Sequence, residues 1–91
     1  MTGETADACF TVMSRQWCHL CHDLVAALEP IAQEYGWRIC VLDVDEDPAL
    51  EARWDELVPV LLHGEQVLCN YHLDEAAVRA YCSGFPLESR A

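Results

Sequence analysis

A short strand, a long amphipathic helix and a second short strand in direct succession leave a small chain few ways to fold. Residues Cys9–Ser14 (C-F-T-V-M-S) are apolar, rich in β-formers and free of Gly or Pro, the pattern of a buried strand. From 18 to 35, Leu20, Leu24, Leu28, Ile31 and Tyr35 recur every three or four residues, which places them on one helical face. Gly36 follows where a C-cap belongs, and Pro30, inside the stretch, predicts a kink or an early end. Residues 37–44 (W-R-I-C-V-L-D-V) read as the second strand. A crossover of this length joins parallel strands, because antiparallel neighbours need only a tight turn.

The remainder adds a hairpin. An acidic cluster, Asp43, Asp45, Glu46 and Asp47, precedes Pro48, which opens a short helix to about 55. The apolar runs 58–62 and 66–70 flank His63-Gly64-Glu65, where Gly64 supplies the positive φ that a tight turn requires. Asp74 caps a last helix reaching about Cys82, with Ala77, Val78 and Tyr81 facing inward and Gly84 at its end. The order β-α-β-α-β-β-α predicts an α/β fold, a four-stranded mixed sheet with helices on both faces. We expect one domain over 1–91, with its core at about 9–83 and loose ends.

Composition narrows the function. The chain has 91 residues, 53% of them hydrophobic, which is enough for one core and too apolar for disorder. Sixteen acids face five bases, all Arg, for a net charge of -11. Nucleic acid and anionic membrane surfaces both attract basic patches, so neither is an expected partner. The longest clear apolar run, 58–62, falls far short of the roughly 20 residues of a membrane span. The start, M-T-G-E-T-A-D, is acidic where a secretory signal would be basic and then apolar, so the expected location is cytoplasmic. Six cysteines in a reducing compartment point to redox catalysis or metal rather than a disulfide framework.

Cys18-His19-Leu20-Cys21 is a C-x-x-C where the first strand hands over to the first helix. Cys18 faces free backbone N–H groups and the positive end of the helix dipole, which lowers a thiol pKa from about 8.5 and makes it the nucleophile. Cys21, one turn on, is the resolving thiol. Arg15 adds a positive influence three residues before Cys18, His19 is placed to tune it, and Trp17 either shields the sulfur or packs. Cys9, Cys40, Cys69 and Cys82 read as small buried apolar residues, and His22, His63 and His72 as surface residues.

Ser14-Arg15-Gln16-Trp17-Cys18-His19-Leu20-Cys21 resembles the active-site segment of glutaredoxins, where a basic residue precedes an aromatic and the C-x-x-C. Val58-Pro59-Val60 resembles the cis-proline segment of the thioredoxin superfamily. Together they cover 9–83 and imply a thioredoxin-like fold and thiol–disulfide exchange through Cys18 and Cys21. They also imply a substrate groove formed by Arg15, Trp17, Val58 and the cis Pro59, and a substrate that is a disulfide-containing protein or a small thiol. No cofactor is implied apart from glutathione as a reductant. The chain departs from the pattern at His19-Leu20, commonly Pro-Tyr, and at Leu57, commonly Thr. It also departs at 68–74, which lack the paired glycines that hold glutathione; Asp74 stands as a displaced remnant of the Asp that follows them, so weak glutathione activity is expected.

Two other readings use the same residues. Cys18-His19-Leu20-Cys21-His22 fits the C-x-x-C-H of covalent haem attachment, but the strands disagree with a small helical cytochrome. A zinc or iron–sulfur site using Cys18, Cys21 and His22 needs a fourth ligand such as Cys69 or His72, unless the metal bridges two chains through Cys18; the remaining alternative is a non-catalytic binding module of the same fold. The acids Asp43 to Asp47 lack the ligand spacing of a calcium loop.

Overall fold

The computed structural model describes residues 8–84. Strand β1 (Cys9–Ser14) is followed by helix α1 (His19–Tyr35), strand β2 (Arg38–Asp43), a 3-10 turn (Val44–Glu46) and helix α2 (Pro48–Trp54). Strands β3 (Val60–His63) and β4 (Gln66–Asn70) form the hairpin, and α3 (Glu75–Gly84) closes the order. The sheet runs β2-β1-β3-β4, with β1 parallel to β2 and antiparallel to β3. This is the expected β-α-β-α-β-β-α arrangement.

Side-chain alternation on β1 and β3 divides the core. Phe10, Val12 and Leu61 pack with Leu24, Leu28 and Ile31 of α1 and with Val78 and Cys82 of α3. Met13, Val60 and Leu62 face the other way, onto Val44 and Trp54. Helices therefore lie on both faces, and the α1/α3 side holds the larger cluster.

Local chemistry sets the element ends. α1 stops at Gly36, whose φ of 74° is open to Gly at little cost. Gly36 N–H donates to Gln33 and Trp37 N–H to Ala32, the paired bonds of a Schellman cap. That capping takes Trp37 out of the expected second strand and buries it against Phe10, ring centroids 4.5 Å apart. Val44 also leaves that strand, because the Asp43 carboxylate accepts Asp45 N–H at 2.8 Å and starts the 3-10 turn. Asp47 caps α2 through Ala49 N–H, and Asp74 caps α3 through Ala77 N–H. Pro30 does not end α1 early; it sits on the exposed face of a continuous seventeen-residue helix.

Several burial expectations need correction. Leu20 is 39% exposed, and the inward stripe begins instead at Cys21, which is fully buried. Ala77 is exposed, while Val78 and Cys82 carry the packing of α3. Cys40 is exposed because β2 is the edge strand and the short α2 does not cover it; Cys9 and Cys69 are half-buried. His63 is buried rather than on the surface, its Nδ1 2.6 Å from the Tyr81 hydroxyl and its ring against Trp37. The expected loose tail at 85–91 lies outside the described residues.

Candidate active site

Cys18 is the N-cap of α1, with extended backbone (φ -110°, ψ 104°). Its sulfur takes the place of the usual cap oxygen and accepts Cys21 N–H at 3.1 Å. Cys18 and Cys21 are paired as a disulfide, their Cα atoms 5.2 Å apart. Cys18 is partly exposed and Cys21 is not exposed at all, so a reagent from solution meets Cys18 first. When the pair is reduced, the same N–H and the helix dipole favour negative charge on the Cys18 sulfur.

The approach to α1 is a turn in which Trp17 adopts φ 61°, a left-handed conformation rare for a bulky residue. Its ring is 91% exposed, so it packs on nothing and projects beside the disulfide. Trp17, Gln16 and His22 line a shallow cavity of about 240 Å³.

Arg15 is committed to other elements. Its guanidinium binds Asp45 through Nε and a terminal nitrogen (2.9 to 3.2 Å), and reaches the Asp55 carboxylate at 2.5 Å and the Asp55 carbonyl at 3.3 Å. The hydrogen bonds it donates to Asp45 and then to Asp55 raise its pKa above the ordinary value. Its charge is thus matched by two carboxylates beside the site, and it ties the end of β1 to the segment leading to Pro59.

That segment is fixed from outside. The carbonyls of Asp55, Glu56 and Leu57 accept, in turn, from Arg15, from the Tyr71 hydroxyl (2.8 Å) and from Asn70 Nδ2 (3.5 Å). Tyr71 has φ 67°, and its own N–H donates to the Pro59 carbonyl at 2.8 Å. The Val58–Pro59 bond is cis, Pro59 is buried and Val58 is half-buried. No hydrogen bond occupies the backbone groups of Val58 among the described residues.

The structure thus exposes Trp17, half-buries Val58, buries Pro59 behind a cis bond, and ties Arg15 to Asp45 and Asp55. Asp45, Asp55, Asn70 and Tyr71 are the participants that sequence reasoning missed. The acids were visible only as charge, and nothing in the sequence announces a tyrosine with positive φ. Burial pushes the Cys69 and Cys82 thiols above their ordinary pKa. Among the described residues, no cluster of three or more His, Cys, Asp or Glu side chains is grouped to hold a metal ion, and no helix is long and apolar enough to cross a membrane.

A four-stranded mixed sheet with a C-x-x-C at the first helix N-terminus and a cis proline opening the third strand defines a thioredoxin-like domain. Within that class the chain belongs to the glutaredoxin-like domain family (DUF836), whose sequence profile matches residues 10–83. Protein Ne2328 from Nitrosomonas europaea is similar in structure (TM-score 0.70) at 30% identity, over 79% of this chain and 87% of that one. X. campestris protein XcR50 is similar at 31% identity and TM-score 0.65, over 81% of this chain and 95% of that one. Fasciola hepatica thioredoxin, at 16% identity and TM-score 0.59 over 90% and 86% of the two chains, shares the fold. No curated protein matches the sequence.

Proposed function

We propose that this protein is a thiol–disulfide oxidoreductase of a reducing, cytoplasmic compartment. The observation that carries the reading is the asymmetry of the pair: an accessible Cys18 sulfur under a helix N–H, and a fully buried Cys21 one turn away. Cys18 thiolate attacks one sulfur of a substrate disulfide, forming a mixed disulfide and expelling a substrate thiolate. Cys21 gives up its proton and attacks the Cys18 sulfur, which closes the Cys18–Cys21 bond and releases the second substrate thiol. Two electrons pass to the substrate, and an external thiol restores the dithiol. The thiols carry the electrons, so no further cofactor is required.

The unoccupied backbone of Val58 suits an extended disulfide-bearing chain that pairs with it in strand fashion. Trp17 and Leu57 offer apolar contact at the rim, 91% and 41% exposed. Glutathione, an anion with two carboxylates, finds Arg15 already matched by Asp45 and Asp55, so glutathione-coupled turnover is weak.

Two single replacements test the mechanism. Cys18→Ser should abolish reduction of a protein disulfide such as insulin and most alkylation by iodoacetamide near neutral pH. Cys21→Ser should keep alkylation and trap a mixed disulfide visible by mass spectrometry. Reversed behaviour exchanges the two roles. Reactivity carried by Cys69 or Cys82, or stoichiometric zinc or iron in the purified protein, rejects the oxidoreductase reading.

A further inference from the structure

Cys21 has no contact with solvent, at 0% exposure, so the proton it loses when it attacks needs a neighbouring group to receive it. An open cavity of about 410 Å³ lies on the seam between α1 and β2, and Cys21 forms part of its wall together with Ser14, His22 and Glu29. A second cavity of about 210 Å³ shares Ser14 and His22 and reaches Arg15 and Asp43. Strand alternation puts Ser14 there: with Phe10 and Val12 it turns toward α1, while Met13 turns toward α2, and it is the last residue of β1 before the turn that delivers Cys18 and Cys21. Ser14 is 9% exposed, and its hydroxyl has no hydrogen-bond partner among the described residues. Among those residues no fully enclosed side-chain oxygen or nitrogen lacks a partner, so this hydroxyl opens onto the cavity. The charged and titratable groups of the seam are placed otherwise. His22 and Glu29 are exposed on α1, the Asp43 carboxylate accepts Asp45 N–H, and Arg15 is bound to Asp45 and Asp55.

We propose that Ser14 is a positioning residue for the resolving thiol, through which the Cys21 proton reaches the solvent of the α1/β2 cavity. A hydroxyl accepts one hydrogen bond while donating another, which suits a thiol that meets no water itself. This role rests on the oxidoreductase reading, in which Cys21 closes the disulfide. In the mixed disulfide, Cys18 is bonded to a substrate sulfur, the Cys21 S–H donates to Ser14 Oγ, and the Ser14 O–H donates to cavity water. The proton leaves along this line, and the electron pair left on the Cys21 sulfur forms the bond to the Cys18 sulfur. The Cys18–substrate bond breaks, its electron pair goes to the substrate sulfur, and solvent protonates that thiolate. A hydroxyl that can turn and donate to the Cys21 sulfur also favours its thiolate, so Cys21 ionises at a lower pH than it would beside an apolar neighbour. The opening attack is untouched, because the Cys18 sulfur has its own donor in Cys21 N–H.

Rapid mixing of the reduced full chain with cystamine, quenched in acid and read by mass spectrometry, separates the two steps as the Cys18 mixed disulfide and the Cys18–Cys21 disulfide. Ser14→Ala should form the mixed disulfide at the rate of the unaltered chain and close it about tenfold more slowly at pH 7, the effect of a Cys21 pKa raised by about one unit. The lag should shrink as pH rises and the thiol ionises without help, so the closing profile moves to higher pH. Ser14→Thr keeps a hydroxyl and a strand-forming shape and should close near the original rate. Unchanged closing in Ser14→Ala overturns the proposal. So does an equal slowing at every pH, the mark of displaced packing, and so does a Ser14→Thr chain as slow as Ser14→Ala. An unaltered chain that forms no mixed disulfide at Cys18 rejects the oxidoreductase reading and this role with it, whereas normal closing in all three chains rejects the role of Ser14 alone.

Discussion

The two sides of the sheet are closed by different means. On the α1/α3 side, Phe10, Leu28 and Leu61 reach 0% exposure, with Trp37 stacked on Phe10. On the other side, a seven-residue α2 leaves Cys40, Leu42 and Val67 in solvent, and Arg15 bridges to Asp45 and Asp55. Apolar burial supplies most of the stability of a domain, whereas exposed ion pairs add little because water screens them. The first side holds the molecule together; the second fixes the course of the segment that leads to the cis Pro59.

Adjacent leucines on β3 offer the largest test of this division, because Leu61 points to one side and Leu62 to the other. Leu61→Ala should cost about 3 to 5 kcal/mol in urea unfolding, and Leu62→Ala about 2 to 3, since its cavity opens toward the exposed Val67 and relaxes more readily. Equal losses would mean that the α2 side is packed as tightly as the other. The tyrosine hydroxyls give a smaller contrast. Tyr81→Phe leaves the buried His63 without its 2.6 Å partner and should cost about 1 to 2 kcal/mol, while Tyr71→Phe frees a carbonyl that water can reach and should cost about 0.5 kcal/mol. The ranking reverses if the groove segment, rather than the aromatic cluster, limits unfolding.

The smallest effect is alkaline. Burial raises the Cys69 and Cys82 thiols above their ordinary value of about 8.5, so the folded chain binds these two protons more tightly than the unfolded one. Their contribution is complete below that value and is lost as pH rises through the higher folded values. Stability measured from pH 8 upward should fall, and the fall should shrink in Cys82→Ala once its own packing loss is subtracted.

The order of elements was legible because each follows from local pattern: the stripe Leu24, Leu28, Ile31, the helix start at Pro48, the cap at Asp74, and the turn at Gly64. The place of the cysteine pair was legible because Cys18 follows the first strand and Cys21 lies in the first helical turn. Burial set by tertiary placement was not. Cys40 looks like a core residue in a β-rich run until β2 proves to be the edge, and His63 looks exposed beside a turn until Tyr81 meets it. Arg15 reads as a free cation near a thiol only while Asp45 and Asp55, thirty and forty residues on, are out of view.

Because the carbonyls of Asp55, Glu56 and Leu57 are held by side chains at 15, 71 and 70, the course of this segment is written elsewhere in the chain. The exposed side chains of Glu56 and Leu57 are left with no architectural duty of their own. They can be exchanged without redirecting the backbone that carries them, a separation of frame from surface in a molecule of 91 residues.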